Sequence, residues 1–216
     1  MSVAKFSARR ITARRNTPDY VHQFLVVLSG TDPLVWRRIQ VPPAYSFWDF
    51  HVATQDAMGW EDHHLHEFRL FDDDTRRTVV IGIPTDMSSA DHPVVPGWTV
   101  PLSKYFDPQS RPRGPFSYAY EFGDGWEHVL VHEGFQPAKK SLTYPRCTGG
   151  ERRCPPEDCG GVHGYAEFLK AMANPKHPRH AELTEWIGGG WTQAAFEPRC
   201  VTFDDPQKRR STAFQR

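Results

Sequence analysis

The sequence has no long apolar run, little sulfur and no net charge. No apolar stretch approaches the roughly 18–20 residues that a membrane-spanning helix needs, so we expect no such helix. The chain has four cysteines and four methionines in 216 residues, and 26 basic residues balance 26 acidic ones. Its first residues lack the apolar core of a secretory signal. We therefore expect a cytoplasmic protein whose cysteines are reduced thiols or metal ligands rather than disulfides.

Nucleotide-binding and serine-hydrolase signatures are also missing. The Gly-Asp-Gly and Gly-Gly sequences lie in predicted turns and loops, not between a strand and a helix as phosphate-binding loops do. The chain contains no G-x-S-x-G sequence, the turn that carries the nucleophile of α/β-hydrolases. These absences argue against a nucleotide-binding enzyme of either main type and against an α/β-hydrolase.

The balanced charge is unevenly distributed. Residues 1–17 hold five basic residues and residues 206–216 hold four, with no acid in either stretch, which leaves the body between them with a formal charge of −9. We interpret 1–17 and 204–216 as disordered basic tails on a single domain at 18–203. The Arg-rich start also fits an organellar transit peptide. The tails are the part of the chain that could contact nucleic acid, although the acidic body repels phosphate.

The order of apolar patterns predicts an α+β fold. Strands are expected at 20–30, 35–41, 64–72, 77–83, 116–122 and 127–135. Ser46 is expected to cap a helix that Gly59 ends, and further helices are expected at 164–174 and 177–189. Residues 84–115 contain seven prolines and are interpreted as an irregular insertion, either a lid or a tolerated addition. The prediction is a mixed, mostly antiparallel sheet of five or six strands packed with three or four helices.

Residues 147–163 hold three of the four cysteines. The spacing is Cys147-x6-Cys154-x4-Cys159-x3-His163. Four soft or borderline ligands in a compact loop suit tetrahedral Zn²⁺, although the spacing differs from the paired C-x2-C of common zinc ribbons. Two alternatives stay open: a structured turn whose cysteines are small buried apolar groups, and a redox pair.

A second constellation combines histidines with carboxylates. His64 and His66 are two positions apart on a predicted strand, so both are expected on one face. In "FGDGWEH", Asp124 and His128 lie at the start and end of a predicted hairpin whose turn is "GDGW". If these strands are neighbours, the four side chains could converge on Zn²⁺, Fe²⁺ or Mn²⁺ and support hydrolytic or oxidative chemistry. The alternative is a buried polar network that stabilises the fold.

Two further pairs are candidates for chemistry. Glu157 and Asp158 precede a glycine-rich turn and could act as a general base or hard-metal ligands, or could accept hydrogen bonds from loop amides. Arg37 and Arg38 lie on opposite faces of a predicted strand and could contact an anion or pair with carboxylates of the acidic body.

Four stretches together resemble one family. They are "VWRRIQVP" (35–42), "MGWEDHHLHEF" (58–68), "YAYEFGDGWEH" (118–128) and "CTGGERRCPPEDCGGVHGYAEFL" (147–169). In this order they resemble the plasmid pRiA4b ORF-3-like family, also called the IS1096 element passenger protein family. The resemblance implies a bacterial cytoplasmic protein, encoded on plasmids, transposons or chromosomes, with an α+β fold and no activity common to the family. It also implies that Cys159 is often replaced, which weakens a Cys₃His site.

Three hypotheses for function follow. The first is a binding or interaction domain, with zinc as a possible ligand. The second is a metal-dependent, hydrolase-like enzyme that uses His64, His66, Asp124 and His128 with Glu157 or Asp158 as the base. The third is a nucleic-acid-associated accessory protein of mobile elements, which would use the tails or the two arginines.

Overall fold

The computed structural model describes residues 19–85, 88 and 93–214. Its elements are β1 (Tyr20–Leu28), β2 (Val35–Val41), α1 (Phe47–Met58), β3 (His66–Asp72), β4 (Arg77–Gly82), β5 (Val94–Pro96), β6 (Phe116–Tyr120), β7 (Trp126–Pro137), β8 (Arg146–Glu151), α2 (Gly161–Ala173), α3 (His180–Trp186) and α4 (Pro206–Ala213). Short 3₁₀ turns lie at Gly97–Thr99, Leu102–Lys104 and Pro198–Cys200. No helix among the described residues has the length and apolar character needed to cross a membrane.

The strands form one eight-stranded sheet in the order β5-β4-β3-β6-β7-β1-β2-β8. Every pair is antiparallel except β4 with β5. The α+β class and the mixed sheet are confirmed, but the prediction of five or six strands is wrong. The two extra strands are the edges. β5 has three residues in the proline-rich segment, and β8 reads "RCTGGE", in which adjacent glycines hide any alternation.

Helix α1 covers the middle of the sheet and begins and ends where the sequence predicts. The Ser46 hydroxyl accepts from the Asp49 amide, and the Asp49 carboxylate accepts from the Ser46 amide, which together form a capping box. Gly59 ends the helix with a φ of +88°, a left-handed conformation that glycine adopts without strain. The ring of Phe50 packs on Phe24 of β1 and Phe68 of β3. The helix therefore fixes the starting point of the loop that leads to β3.

The middle of the proline-rich segment, from Val100 to Phe106, packs into the core rather than forming a lid or a peripheral insertion. Val100, Leu102, Tyr105 and Phe106 are all buried. The Phe47 amide donates to the Val100 carbonyl at 3.0 Å, so this segment also supports the start of α1. Two 3₁₀ turns give this segment local hydrogen bonds, which its high proline content does not predict.

The C-terminal residues correct a second prediction. Residues 204–216 were expected to be a disordered tail, but Pro206–Ala213 forms α4, capped by Asp205 and packed on α1. The Arg209 guanidinium donates to the Asp56 carboxylate of α1 at 2.6 Å. Arg209 also pairs with Asp204, just before α4. This segment is therefore an ordered helix because acidic residues of the domain neutralise Arg209, one of the basic residues that suggested a tail. The predicted N-terminal tail at 1–17 lies outside the described residues.

Candidate functional site

Three loops meet at one end of the inner strands β3 and β6, where β3 begins and β6 ends. His66 pairs with Tyr120 across these strands, which places the loop before β3 beside the turn after β6. The Glu121 amide donates to the Leu65 carbonyl at 3.0 Å and fixes this contact. The loop before α2 joins them, so residues 60–65, 121–125 and 155–160 share one corner of the molecule.

Asp124 and Gly161 hold the loop before α2 in this corner. The Gly160 amide donates to the Asp124 carboxylate at 3.0 Å. Gly161 has a φ of +65°, and a Cβ at this position would lie 2.3 Å from the Asp124 carbonyl oxygen. Only glycine fits that approach. Asp124, predicted as a site residue, therefore supports the corner through its backbone and its carboxylate.

His64, Glu121 and Asp158 form the central group of the corner. The His64 Nε2 atom lies 3.8 Å from a Glu121 oxygen and 3.6 Å from an Asp158 oxygen. One ligand atom from each residue lies within 4.8 Å of the others, a spacing that could hold a metal ion. Glu121 is buried, His64 is half-buried and Asp158 is exposed. The group therefore opens to solvent on the Asp158 side.

Glu121 is the most unusual residue of this group. Its backbone has a φ of +54°, which is uncommon for a residue other than glycine. Its side chain is 5% exposed, and its Oε2 atom is buried with no hydrogen-bond partner among the described residues. Burial, followed by the charge of Asp124, raises the pKa of Glu121 to about 7. A buried carboxylate oxygen without a donor is costly, so this oxygen suits a bound cation, a water molecule or a proton.

A second group lies beside the first and shares its loops. Glu61, His63 and Glu157 also place one ligand atom each within 4.8 Å of the others. Glu157 is already engaged, because one oxygen accepts from the Tyr120 hydroxyl and the other accepts from the Glu61 amide. The Tyr120 oxygen also accepts from the His63 amide at 3.2 Å. These bonds tie the loop before β3 to the loop before α2.

His66 and His128 do not join the corner, contrary to prediction. The His66 ring is 2% exposed and stacks on the His51 ring with 3.4 Å between centroids. The His128 Nδ1–H donates to the Tyr118 carbonyl at 3.1 Å inside the core. Burial lowers the pKa of His66 well below its ordinary value and that of His128 to about 4. The prediction failed because β3 begins at His66, so alternation does not extend back to His64.

The cysteine stretch does not assemble the predicted ligand set. Among the residues that the structure describes, neither group with three ligand atoms within 4.8 Å contains a cysteine. Cys147 and Cys154 are buried, and the Cys147 thiol donates to the Gly149 carbonyl at 3.3 Å. His163 is exposed on α2. Burial raises the pKa of Cys147 and that of Cys159, the latter to about 12. These environments favour the neutral thiol over the thiolate that binds a metal.

Arg37 contradicts the anion-contact prediction. It is 1% exposed, and its guanidinium donates to four backbone carbonyls, those of Trp36, Ala57, Glu151 and Arg152, at 2.7–2.9 Å. Its other face lies 3.6 Å from the ring centroid of Phe196. Arg38, on the opposite face of β2, donates to the Glu133 carboxylate at 2.7 and 2.9 Å. Both arginines therefore have protein partners.

A cleft of 790 Å³ lies beside the two carboxylate–histidine groups. Its lining includes the polar residues Glu61, His63, Glu157 and Asp158. It also includes the aromatic residues Trp186, Trp191 and Phe196, which follow α2 in the sequence. A metal ion bound by His64, Glu121 and Asp158 would lie at the border of this cleft, because Asp158 belongs to both.

Sequence reasoning missed Glu121, Glu61 and His63 as members of these groups. The sequence pattern does not single out Glu121, and alternation along the predicted strand 64–72 places His63, just before it, on the face opposite His64 and His66. The sequence signal that could have found Glu121 is its position directly before the "FGDG" turn, beside the histidine loop in the sheet. Its backbone conformation, which turns the side chain into the corner, leaves no trace in the sequence.

Comparison with known proteins agrees with the resemblance of the four stretches. A family model described as plasmid pRiA4b ORF-3-like protein matches residues 20–200. Uncharacterized protein y4hQ of Sinorhizobium fredii (strain NBRC 101917 / NGR234) is 40% identical over 163 residues, 76% of this chain and 78% of that protein. The crystal structure of the protein of unknown function MM3350 from Methanosarcina mazei Go1 is similar with a TM-score of 0.76 and 36% identity, covering 85% of this chain and 98% of that chain. The chain therefore belongs to the plasmid pRiA4b ORF-3-like family.

Proposed function

We propose that this protein binds a divalent transition-metal ion through His64, Glu121 and Asp158. The observation that carries the proposal is the buried Glu121 oxygen without a hydrogen-bond partner, beside two other possible ligands. A cation would offset the cost of that buried carboxylate, which is also repelled by Asp124. One imidazole and two carboxylates suit Zn²⁺, Mn²⁺ or Fe²⁺ better than a soft thiolate-seeking ion.

Hydrolytic catalysis is a second candidate function, favoured by the cleft. Three protein ligands leave a coordination position open, as in catalytic rather than structural zinc sites. A metal ion in such a site supplies a water molecule of lowered pKa as a nucleophile. Asp158 is exposed and faces the 790 Å³ cleft, so a substrate could approach from that side. The chain would then hold the metal with Glu121 and orient the substrate with Trp186, Trp191 and Phe196 of the cleft.

A nucleic-acid role has less support from the described residues. Arg37 is buried, Arg38 pairs with Glu133, and Arg209 pairs with acids of the domain. Each of these basic groups is neutralised or enclosed by the protein itself, so none offers a free contact for a phosphate.

The test is the metal content of untagged protein, measured by plasma mass spectrometry for the wild type and three variants. We expect near-stoichiometric metal in the wild type and its loss in Glu121→Gln, because removing a charged ligand weakens binding by more than about 100-fold. Glu127→Gln, on the neighbouring strand β7, is the matched control and should keep the metal. Cys147→Ser combined with Cys154→Ser should keep it too.

Two outcomes would overturn the proposal. Metal that persists in Glu121→Gln but disappears in the cysteine variant would place the ion in the stretch 147–163. Absence of bound metal in the wild type, even after dialysis against Zn²⁺, Mn²⁺ and Fe²⁺ under anaerobic conditions, would remove both candidate functions and leave the corner as a polar support of the fold.

A further inference from the structure

Helix α4 lies outside the residues 20–200 that the family model matches, yet it docks on the domain by specific contacts. The Trp48 indole N–H donates to the Pro206 carbonyl at 2.9 Å, and the Asp204 amide donates to the Asp56 carboxylate at 2.9 Å. The Phe214 ring lies edge-on to Trp98, with 4.9 Å between centroids. Contacts at both ends therefore fix the helix and orient its middle residue, Arg209.

Arg209 reaches the loop that carries His64. Its Nη1 atom lies 3.7 Å from one oxygen of Asp62, while its Nη2 donates to Asp56 at 2.6 Å. The other Asp62 oxygen pairs with the His51 Nε2 at 2.8 Å. Asp62 thus bridges α4 and α1, and its side chain is only 9% exposed. An ionised carboxylate at such a site needs partners on both oxygens.

Asp62 controls the course of the loop. Its φ is +63°, an uncommon conformation that aspartate adopts more readily than most residues, and His63 and His64 follow it directly. On the far side, the loop is held by the Glu61 and His63 amides, which donate to Glu157 and the Tyr120 hydroxyl. The two histidines therefore lie between an anchor from the loop before α2 and an anchor from α4.

A cavity of 370 Å³ separates α4 from this loop. Asp62, His63 and His64 line one wall, and Arg209 with the last turn of α4 lines the other. Because the loop has free space on this side, packing alone does not hold it in place. The ion pair between Arg209 and Asp62 is the contact that spans the gap.

We propose that Arg209 is a positioning residue for the metal centre, acting through Asp62 on His64. This inference rests on the proposed function. Without the guanidinium, the desolvated carboxylates of Asp56 and Asp62 lose their shared cation. Asp62 then keeps its bond to the His51 Nε2 but loses its ion pair with α4, so the loop is held less firmly on this side. His64 can then shift from the position where its Nε2 faces Glu121 and Asp158.

The experiment is a titration of the full-length protein with Co²⁺, whose visible absorption reports the geometry of its ligands. Arg209→Ala should bind Co²⁺ more weakly than the wild type by up to about 10-fold, the lower end of the effect of removing a direct partner of a metal ligand, because Arg209 acts on His64 only through Asp62. Its absorption bands should also change. Lys208→Ala removes the same charge from an exposed position of α4 and should bind as the wild type does. Arg209→Lys should recover part of the affinity and the wild-type spectrum.

Asp62→Asn breaks the same connection from its other end. The amide oxygen can still accept from His51, and Arg209 keeps Asp56, so α4 stays docked while the ion pair to the loop is lost. We expect the spectral change of Arg209→Ala with a smaller loss of affinity. Near-ultraviolet circular dichroism of Trp48 and Trp98 checks that α4 is still in place in each variant.

The outcomes separate this inference from the proposed function. Wild-type Co²⁺ binding with an unchanged spectrum and affinity in Arg209→Ala would overturn the positioning role alone. A changed Arg209→Ala beside an unchanged Asp62→Asn would show that α4 acts without Asp62, and would also overturn it. Failure of the wild type to bind Co²⁺ at all would overturn the metal centre and the positioning role together.

Discussion

Replacing His128 by asparagine should have an effect on stability that depends on pH. His128 is 1% exposed, and burial lowers its pKa from 6.5 to about 4. A histidine with a lowered folded pKa binds fewer protons in the folded than in the unfolded state, so it costs stability as the pH falls through 6.5 toward 4. Asparagine keeps the hydrogen bond to the Tyr118 carbonyl but does not titrate.

The size of the effect follows from the two pKa values. At pH 8 the histidine is neutral in both states, and the variant should lose about 2 kcal/mol of stability because the ring leaves a cavity. At pH 5 the unfolded histidine is protonated and the folded one is not, which costs the wild type about 2 kcal/mol at 1.36 kcal/mol per unit of pKa. The variant avoids this cost. The two proteins should therefore become nearly equal in stability at pH 5.

Urea unfolding followed by tryptophan fluorescence at pH 8, 6.5 and 5 measures this difference. Comparing variant with wild type at each pH cancels other groups, including Glu121, whose raised pKa acts in the opposite direction. His163→Asn, at an exposed site, is the control for replacing a histidine outside the core. A gap between His128→Asn and wild type that stays constant from pH 8 to 5 would refute the assignment of His128 as a buried neutral residue.

Three further predictions concern the supports of the site. Arg37→Met should lower the free energy of unfolding by about 3–5 kcal/mol, because four buried carbonyls lose a charged donor. Arg38→Met should lower it by about 1 kcal/mol or less, because its pair with Glu133 is partly exposed. Urea unfolding measures both values. Gly161→Ala should cost about 1–3 kcal/mol and weaken metal binding, since the new Cβ forces the loop away from Asp124; calorimetric titration with Zn²⁺ against Gly114→Ala, where a Cβ meets open space, tests this. Tyr120→Phe should cost about 1–2 kcal/mol in thermal unfolding by removing the donor to Glu157, and an unchanged melting temperature would contradict the bond.

Local patterns in the sequence predict most of the scaffold. Ser46 and Gly59 bound α1 because capping chemistry is local, and the Asp-Gly turn joins β6 to β7 as expected. The edge strands escape notice because β8 takes its conformation from pairing with β2 rather than from its own glycine-rich residues. α4 escapes for a similar reason, since its order comes from ion pairs with acids more than 140 positions earlier.

The site is less predictable than the scaffold. Alternation indicates which face a strand residue occupies only when the strand's first residue is known, and β3 begins two positions after His64. The expected cluster therefore contained two histidines that belong to the core. Glu121 enters the corner through a backbone conformation that sequence patterns do not encode. The sequence analysis grouped His64 with Asp158 as candidate site residues, and the two side chains lie 3.6 Å apart because their loops meet beside Glu121.

The four hydrogen bonds from Arg37 to backbone carbonyls also affect local opening of the native structure. Three of them join the end of α1 at Ala57 to the end of β8 at Glu151 and to Arg152, the residue after it. The loop to His64 starts just after the first of these points, and the loop to Asp158 starts just after the others. Local opening of either loop therefore disturbs hydrogen bonds of the same buried guanidinium, and we expect the two loops to open as one cooperative unit. Amide hydrogens in 60–64 and 153–158 should then exchange with solvent through openings of the same free energy. The two segments are distant in sequence but are linked through the Arg37 side chain.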